Sequence, residues 1–273
     1  MSPGSLTSRL KPIDGALALH EIIASVRQLS FMKQHSEVLA SNLNVALELT
    51  YARAPLGRLA KGQTYELERG EKPDPSVRER LLEKRLWKDF RFSAFAEHGR
   101  PFAGDVCRFI QTYQMPLQGT RNDRRWGKID LLGATADASP AVIELKQEDA
   151  KDTLLRMLVE GVAYACAIRK AWNEGGLRAQ WATAMKKNGL SPSDAQVLAE
   201  VPVLLLAPSD FWRRAVGSPG VRSNGKVRDD AWQPFLALVR KCSDHGFPVH
   251  FLEFDTNDAG LNVLPARLPL GGV

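Results

Sequence analysis

Hydrophobic positions in the first seventy residues recur at helical spacing. Ile22, Ile23, Val26 and Leu29 form one stripe, and Leu39, Leu43, Ala46 and Leu47 form another, which predicts two amphipathic helices. Residues 68–75 are polar and punctuated by Gly70, Pro73 and Pro75, the composition of a linker or turn. Beyond them the period switches repeatedly. A helical pattern over 76–90 is followed by strand patterns over 106–115, 128–133 and 141–146. A long helix is predicted over 152–172, with Leu154, Leu158, Val162, Ala165 and Trp172 on one face. Residues 201–207 read as a buried strand. A last helix over 231–243 leads into a strand over 249–254. The order is helix, three strands, helix, strand, then a further helix and strand. It predicts one α/β domain over 73–273 behind a small helical region over 1–72.

Composition narrows the partners and compartments. The chain of 273 residues is 44% hydrophobic and 25% charged, typical of a folded globular protein. Its 37 basic and 31 acidic residues leave a formal charge of +6, which permits a polyanionic partner without identifying one. Cys107, Cys166 and Cys242 are odd in number and far apart, so neither a disulfide framework nor a Cys-x-x-Cys zinc site can be written. No apolar run approaches the roughly 20 residues that span a bilayer. The apolar stretch over 15–19 is broken by His20 and Glu21, unlike a secretory signal. The expectation is a reduced, cytoplasmic protein without a membrane. His245 and His250 are too irregularly placed to share a metal, and phosphate-binding glycine loops and the Gly-x-Ser-x-Gly elbow are missing. Any ATP-driven step would come from a partner subunit.

The stretch Ala40-Ser-Asn-Leu-Asn-Val45, followed by Leu49 and Arg53, resembles a helix-turn-helix, with Asn44 in the left-handed turn position. Its rival is a plain helical hairpin that packs or dimerises. Pro55 ends any recognition helix beyond Ala54.

One constellation carries chemistry. Asp130 lies in Lys-Ile-Asp-Leu-Leu-Gly, an apolar strand where an acid is costly to bury without a purpose. On the next strand, Glu144 and Lys146 are two apart and therefore share a sheet face. The turn over 134–140 folds the two strands into a hairpin, so Asp130 can approach Glu144. Two carboxylates that close repel unless a cation lies between them, and Mg²⁺ (or Mn²⁺) prefers oxygen ligands. The competing reading is an exposed cross-strand ion pair worth a fraction of a kcal/mol.

Glu144-Leu-Lys146 is the chain's one Glu-x-Lys triplet, and it follows an acid-bearing strand. This arrangement resembles the PD-(D/E)xK nuclease superfamily, with its restriction-endonuclease-like fold, over residues 76–207. The resemblance implies that Asp130 and Glu144 ligate a metal and that Lys146 orients or activates the attacking water. Ile129 stands where the family name has Pro. Many members add a Glu from the helix before the sheet. Glu79 and Glu83 lie at i and i+4 on the stripe that continues into Leu86 and Phe90, and Glu83 is preferred. Glu160-Gly-Val-Ala-Tyr164 has the spacing of the Gln-x-x-x-Tyr of RecB-like members, with Glu in place of Gln. Tyr164 reads equally as a packed residue with its hydroxyl at the rim.

Arg121, Arg124, Arg125 and Lys128 crowd the loop before Asp130, with Trp126 among them. Arginines there can hold phosphates bidentately, and an indole can stack on a base or pack over the sheet. A second basic loop, 217–230, carries Arg222, Lys226 and Arg228. These features predict a metal-dependent nuclease acting on DNA in restriction, repair or phage defence, alone, as a homodimer or with a partner subunit for ATP hydrolysis or targeting. The alternatives are a non-catalytic nucleic-acid-binding scaffold of the same fold and a helix-turn-helix regulator.

Overall fold

The computed structural model describes residues 17–23, 32–56, 67, 78–117, 126–150, 152–191, 194–217, 229–257, 260–266 and 268. They form an α/β fold around one mixed, open sheet of six strands. In chain order the elements are α1 (Leu19–Ile22), α2 (Met32–Arg53), α3 (Arg78–Phe90), α4 (Phe92–His98), β1 (Phe109–Pro116), β2 (Lys128–Ala134) and β3 (Pro140–Leu145). Then follow α5 (Leu154–Asn173), α6 (Leu177–Lys187), β4 (Val203–Pro208), α7 (Ser209–Gly217), α8 (Asp229–Asp244), β5 (Val249–Asn257) and β6 (Gly260–Pro265).

The strands lie in chain order, β1 to β6. β1, β2 and β3 form an antiparallel meander. β4 joins β3 in parallel, β5 joins β4 in parallel, and β6 turns back along β5. The parallel β3–β4 step needs a crossover, which α5 and α6 supply. β3 is buried along its whole length, as a central strand covered on both faces must be. Val142 joins the cluster formed with α5 and α8, whereas Ile143 and Leu145 pack with Leu86 and Phe90 of α3. The turn between β2 and β3 is tied by Thr135 Oγ1, which accepts from Ser139 N–H at 2.9 Å.

Gly161 fixes how closely α5 lies on the sheet. A Cβ there would sit 2.7 Å from Val203 Cγ1 and 3.7 Å from Glu144 Cβ. The missing side chain lets α5 settle against β4 and brings its neighbour Glu160 beside β3. Thr153 caps the helix, its side chain accepting from Arg156 N–H at 3.0 Å.

The N-terminal helices pack against the same layer. Leu19, Leu39, Leu43 and Leu47 belong to one hydrophobic cluster with Ala165 of α5 and Val239 of α8. Lys170 donates to the carbonyls of Ala52 and Ala54 at 2.8 and 3.0 Å, closing the end of α2. Residues 40–45 correct the helix-turn-helix reading, because they lie inside the unbroken helix α2. Asn44 takes no left-handed turn. Ser41 and Asn42 instead donate back to the carbonyls of Glu37 and Val38, each at 2.9 Å, which accommodates their polar side chains on the helix exterior. The expected linker over 68–75 lies outside the described residues. So does most of the second basic loop, with Arg222, Lys226 and Arg228.

Candidate active site

The hairpin and two helices gather the site at one end of β3. Leu131 pairs with Ile143, and the same register continued by one residue sets Asp130 opposite Glu144. Met115 pairs with Ile129 and Tyr113 with Leu131, so Gln114 of β1 lies opposite Asp130 on the other side. Period-two alternation then carries Glu144 and Lys146 toward α5.

Asp130 is partly buried, and its Oδ2 accepts from Leu145 N–H at 2.9 Å. The Asp130 and Glu144 carboxyls stand opposite one another across the hairpin, and the Asp130 charge raises Glu144's hold on its proton. Glu144 is 2% exposed and Lys146 6% exposed, which rules out an exposed cross-strand ion pair. Lys146 Nζ lies 2.6 Å from Glu144 Oε1, 3.1 Å from Glu160 Oε2 and 3.6 Å from Asp152 Oδ2. Arg156 closes the far side. Its Nε and Nη2 donate to Glu160 Oε1 at 3.0 and 2.9 Å, and its Nη1 donates to Asp152.

α3 contributes from the other flank. Glu83 is 1% exposed, and its Oε2 has no hydrogen-bond partner. Its carboxyl is repelled by Asp130, with Gln114 pulling its proton affinity the other way. Gln114 holds a backbone φ of 51°, a left-handed conformation rare for a non-glycine residue inside a strand. Glu79, one turn earlier, also feels the Asp130 charge, so both candidate glutamates of α3 face the cluster.

Burial and mutual repulsion dominate the electrostatics. Burial first, then the Asp130 charge, push Glu83 up to about 9 and Glu79 up to about 7. Burial raises Asp130 as well, against the opposing pull of Lys146 and the Leu145 N–H. Glu144 is held well above the ordinary glutamate range by burial and by Asp130. Burial alone would lower the Lys146 ammonium, but Glu144, Asp130 and Glu160 overcome it and hold it well above an ordinary lysine. Glu160 goes the other way. Burial opposes its ionisation, yet Lys146 and Arg156 together keep it below the usual range.

Glu160 and Tyr164 both approach the centre. Glu160 is a partner of Lys146, as described. Tyr164 packs against the core, and its hydroxyl lies over Gly127 at the start of β2, where an added Cβ would come within 3.2 Å. Burial and the carboxylates of Glu144 and Asp130 hold that phenol well above 10.

The basic approach is only partly described. Arg121, Arg124 and Arg125 lie outside the described residues. Lys128 opens β2, two residues before Asp130, and is partly exposed. Trp126 is 3% exposed and stacks on His20 at 4.2 Å between ring centroids, so it packs over the sheet and offers no face to a base.

Asp152, Arg156 and Gln114 complete the site and went unread in the sequence. The first two had a signal. Asp152, Arg156, Glu160 and Tyr164 follow one another at i+4 along α5 and the residues before it, a polar line on an otherwise buried helix.

The oxygen chemistry of the donor set is the kind a hard divalent cation prefers. The buried Oε2 atoms of both Glu83 and Glu144 lack hydrogen-bond partners. Among the described residues, no three acid, histidine or cysteine side chains are arranged to close on one metal ion. Asp130 and Glu144 meet as a pair, and the Lys146 ammonium takes the cation's place beside Glu144.

Comparison with protein-family models, with curated proteins and with solved structures gives no match for this chain. Among the described residues, no helix is long and apolar enough to cross a membrane.

Proposed function

We propose that this chain is a metal-dependent nuclease that hydrolyses phosphodiester bonds of DNA, built on a restriction-endonuclease-like core. The observation that carries the reading is the placement of Asp130 opposite the buried Glu144, beside the Lys146 ammonium. Such a centre destabilises a fold that could fill the same space with apolar side chains. Strongly perturbed acids and a buried cation in one cluster are the usual mark of a functional site. The order α3, β1 to β3, α5, β4, with an antiparallel meander joined in parallel by β4, supports the same class.

In this reading Asp130 and Glu144 would hold Mg²⁺ or Mn²⁺, which supplies charge neutralisation at the phosphoryl oxygens and a more acidic bound water. Lys146 would orient the attacking water and stabilise the charge that develops as the phosphorus–oxygen bond breaks. Glu83 adds a carboxylate from the α3 side. Arg121, Arg124, Arg125 and Lys128 would bind the DNA backbone on its approach. One observation favours a non-catalytic scaffold instead, namely that Glu144 Oε1 is already satisfied by Lys146 at 2.6 Å.

Incubation of the purified protein with linear, nicked, single-stranded and supercoiled DNA, with Mg²⁺ or with EDTA, tests the proposal. Cleavage of at least one form with Mg²⁺ and none with EDTA is expected. Salt-sensitive binding to every form without cleavage would support the scaffold.

A further inference from the structure

The Lys146 ammonium has more carboxylates around it than its proposed role uses. Glu144 Oε1 lies at 2.6 Å and belongs to the proposed cation pair. Glu160 Oε2 at 3.1 Å and Asp152 Oδ2 at 3.6 Å lie on the α5 side. Each of these acids already shares the ammonium through one oxygen, and with its other oxygen free would draw it further off Glu144. Arg156 engages both. Its planar guanidinium meets Glu160 Oε1 through two N–H groups, at 3.0 and 2.9 Å, and reaches Asp152 through a third. The fork is built into helix geometry, since Asp152, Arg156 and Glu160 are spaced four apart and Thr153 caps the helix between them. The Arg156 side chain is 19% exposed and Glu160 8%, so water screens these contacts only weakly.

We infer that Arg156 is a positioning residue, which by occupying Asp152 and Glu160 keeps the Lys146 ammonium aimed at Glu144 and sets how strongly the Asp130–Glu144 pair attracts a divalent cation. The inference rests on the nuclease reading and concerns a residue outside the proposed cation pair. It has two consequences of opposite sign. Without the guanidinium, Asp152 and Glu160 compete for Lys146, which leaves its aim, so turnover falls. Glu144 is then freed of its ammonium partner and the cluster loses a positive charge, so cation affinity rises. A loss of packing or of folding would weaken both together.

The test uses the full chain with Mn²⁺ as the probe, in three proteins: wild type, Arg156→Gln and Arg156→Lys. Calorimetric titration gives Mn²⁺ affinity, and steady-state cleavage of a DNA duplex at saturating Mn²⁺ gives kcat and KM. Arg156→Gln should bind Mn²⁺ about 3- to 10-fold more tightly, the scale of one removed charge in a partly screened site. Its kcat should fall about tenfold while KM stays unchanged. Arg156→Lys keeps the charge but loses the fork. It should bind Mn²⁺ as the wild type does while recovering only part of kcat. Equal or weaker Mn²⁺ binding by Arg156→Gln, or an unchanged kcat, overturns the role assigned to Arg156. If the wild type binds Mn²⁺ but cleaves nothing, the nuclease reading fails while the affinity order still decides whether Arg156 controls the cation centre. A wild type that binds no Mn²⁺ at millimolar concentration overturns both.

Discussion

Replacing Glu83 with glutamine isolates the electrostatic burden that the site places on the fold. Glu83 is 1% exposed, and burial and Asp130 push its carboxyl from 4.5 up to about 9. In the unfolded chain the proton leaves near 4.5, whereas the native protein holds it until about 9. Between those values the native state binds more protons than the unfolded state, so stability falls as pH rises, by up to about 1.4 kcal/mol per pH unit. By pH 8 the accumulated penalty has a ceiling of about 5 kcal/mol, and coupling to Asp130 brings the expected figure to about 2–5 kcal/mol. Glutamine has the same shape and does not titrate. Glu83→Gln should therefore match the wild type near pH 4.5–5 and exceed its stability by about 2–5 kcal/mol at pH 8. Urea unfolding of both proteins at successive pH values from 5 to 8.5 measures the difference directly. A constant offset across that range, or a variant less stable than wild type at pH 8, would refute the reasoning. If the site is catalytic, the stabilised variant should also cleave DNA more slowly, since stability gained at an active site commonly costs activity.

Other perturbations probe the same centre from different sides. Lys146→Met strips the counter-charge from Glu144 and Glu160 and should cost about 3–5 kcal/mol at pH 7 by urea unfolding. The loss should shrink at pH 5, where Glu144, with its raised affinity for protons, can be neutral; an equal loss at both pH values would count against the cluster as described. Gly161→Ala places a methyl 2.7 Å from Val203 Cγ1 and should cost about 1–3 kcal/mol by pushing α5 off the sheet. Cleavage should fall with it, because Glu160 moves with the helix, and a thermally unchanged variant would show that the sheet can yield there. Replacing Arg121, Arg124 and Arg125 together with alanine should lower the slope of log affinity for DNA against log salt by about 2–3. An unchanged slope would remove that loop from the DNA interface.

The sheet core and the acid pair were legible because they depend on local pattern. Alternation brought out β2 and β3, the turn residues between them predicted the hairpin, and period-two geometry put Glu144 and Lys146 on one face. The helical stripes marked α2, α3, α5 and α8 to within a few residues at their ends, α2 with its early turn aside. Elements set by tertiary pairing were harder to see. β6 is a short stretch with Gly260 and Pro265 at its ends, and it becomes a strand by pairing along β5. α6 carries a helical signal in the spacing of Leu177, Trp181, Ala184 and Met185, all buried. At Asn44 one residue's left-handed tolerance suggests a turn, but the surrounding stripe of Leu39, Leu43 and Leu47 packs as one continuous face and keeps the helix unbroken. Gln114 gave no warning, because nothing among its neighbours in sequence marks a residue that takes a positive φ within a strand.

The central claim is that Asp130, Glu144 and Lys146 form a phosphodiester-cleaving centre. Its most direct test compares Mg²⁺-dependent DNA cleavage by the wild type with that of Asp130→Asn and Lys146→Met, each verified as folded by circular dichroism. The account predicts that the wild type cleaves and that each variant loses activity by about a hundredfold or more while still binding DNA. Wild-type rates in both folded variants would contradict it.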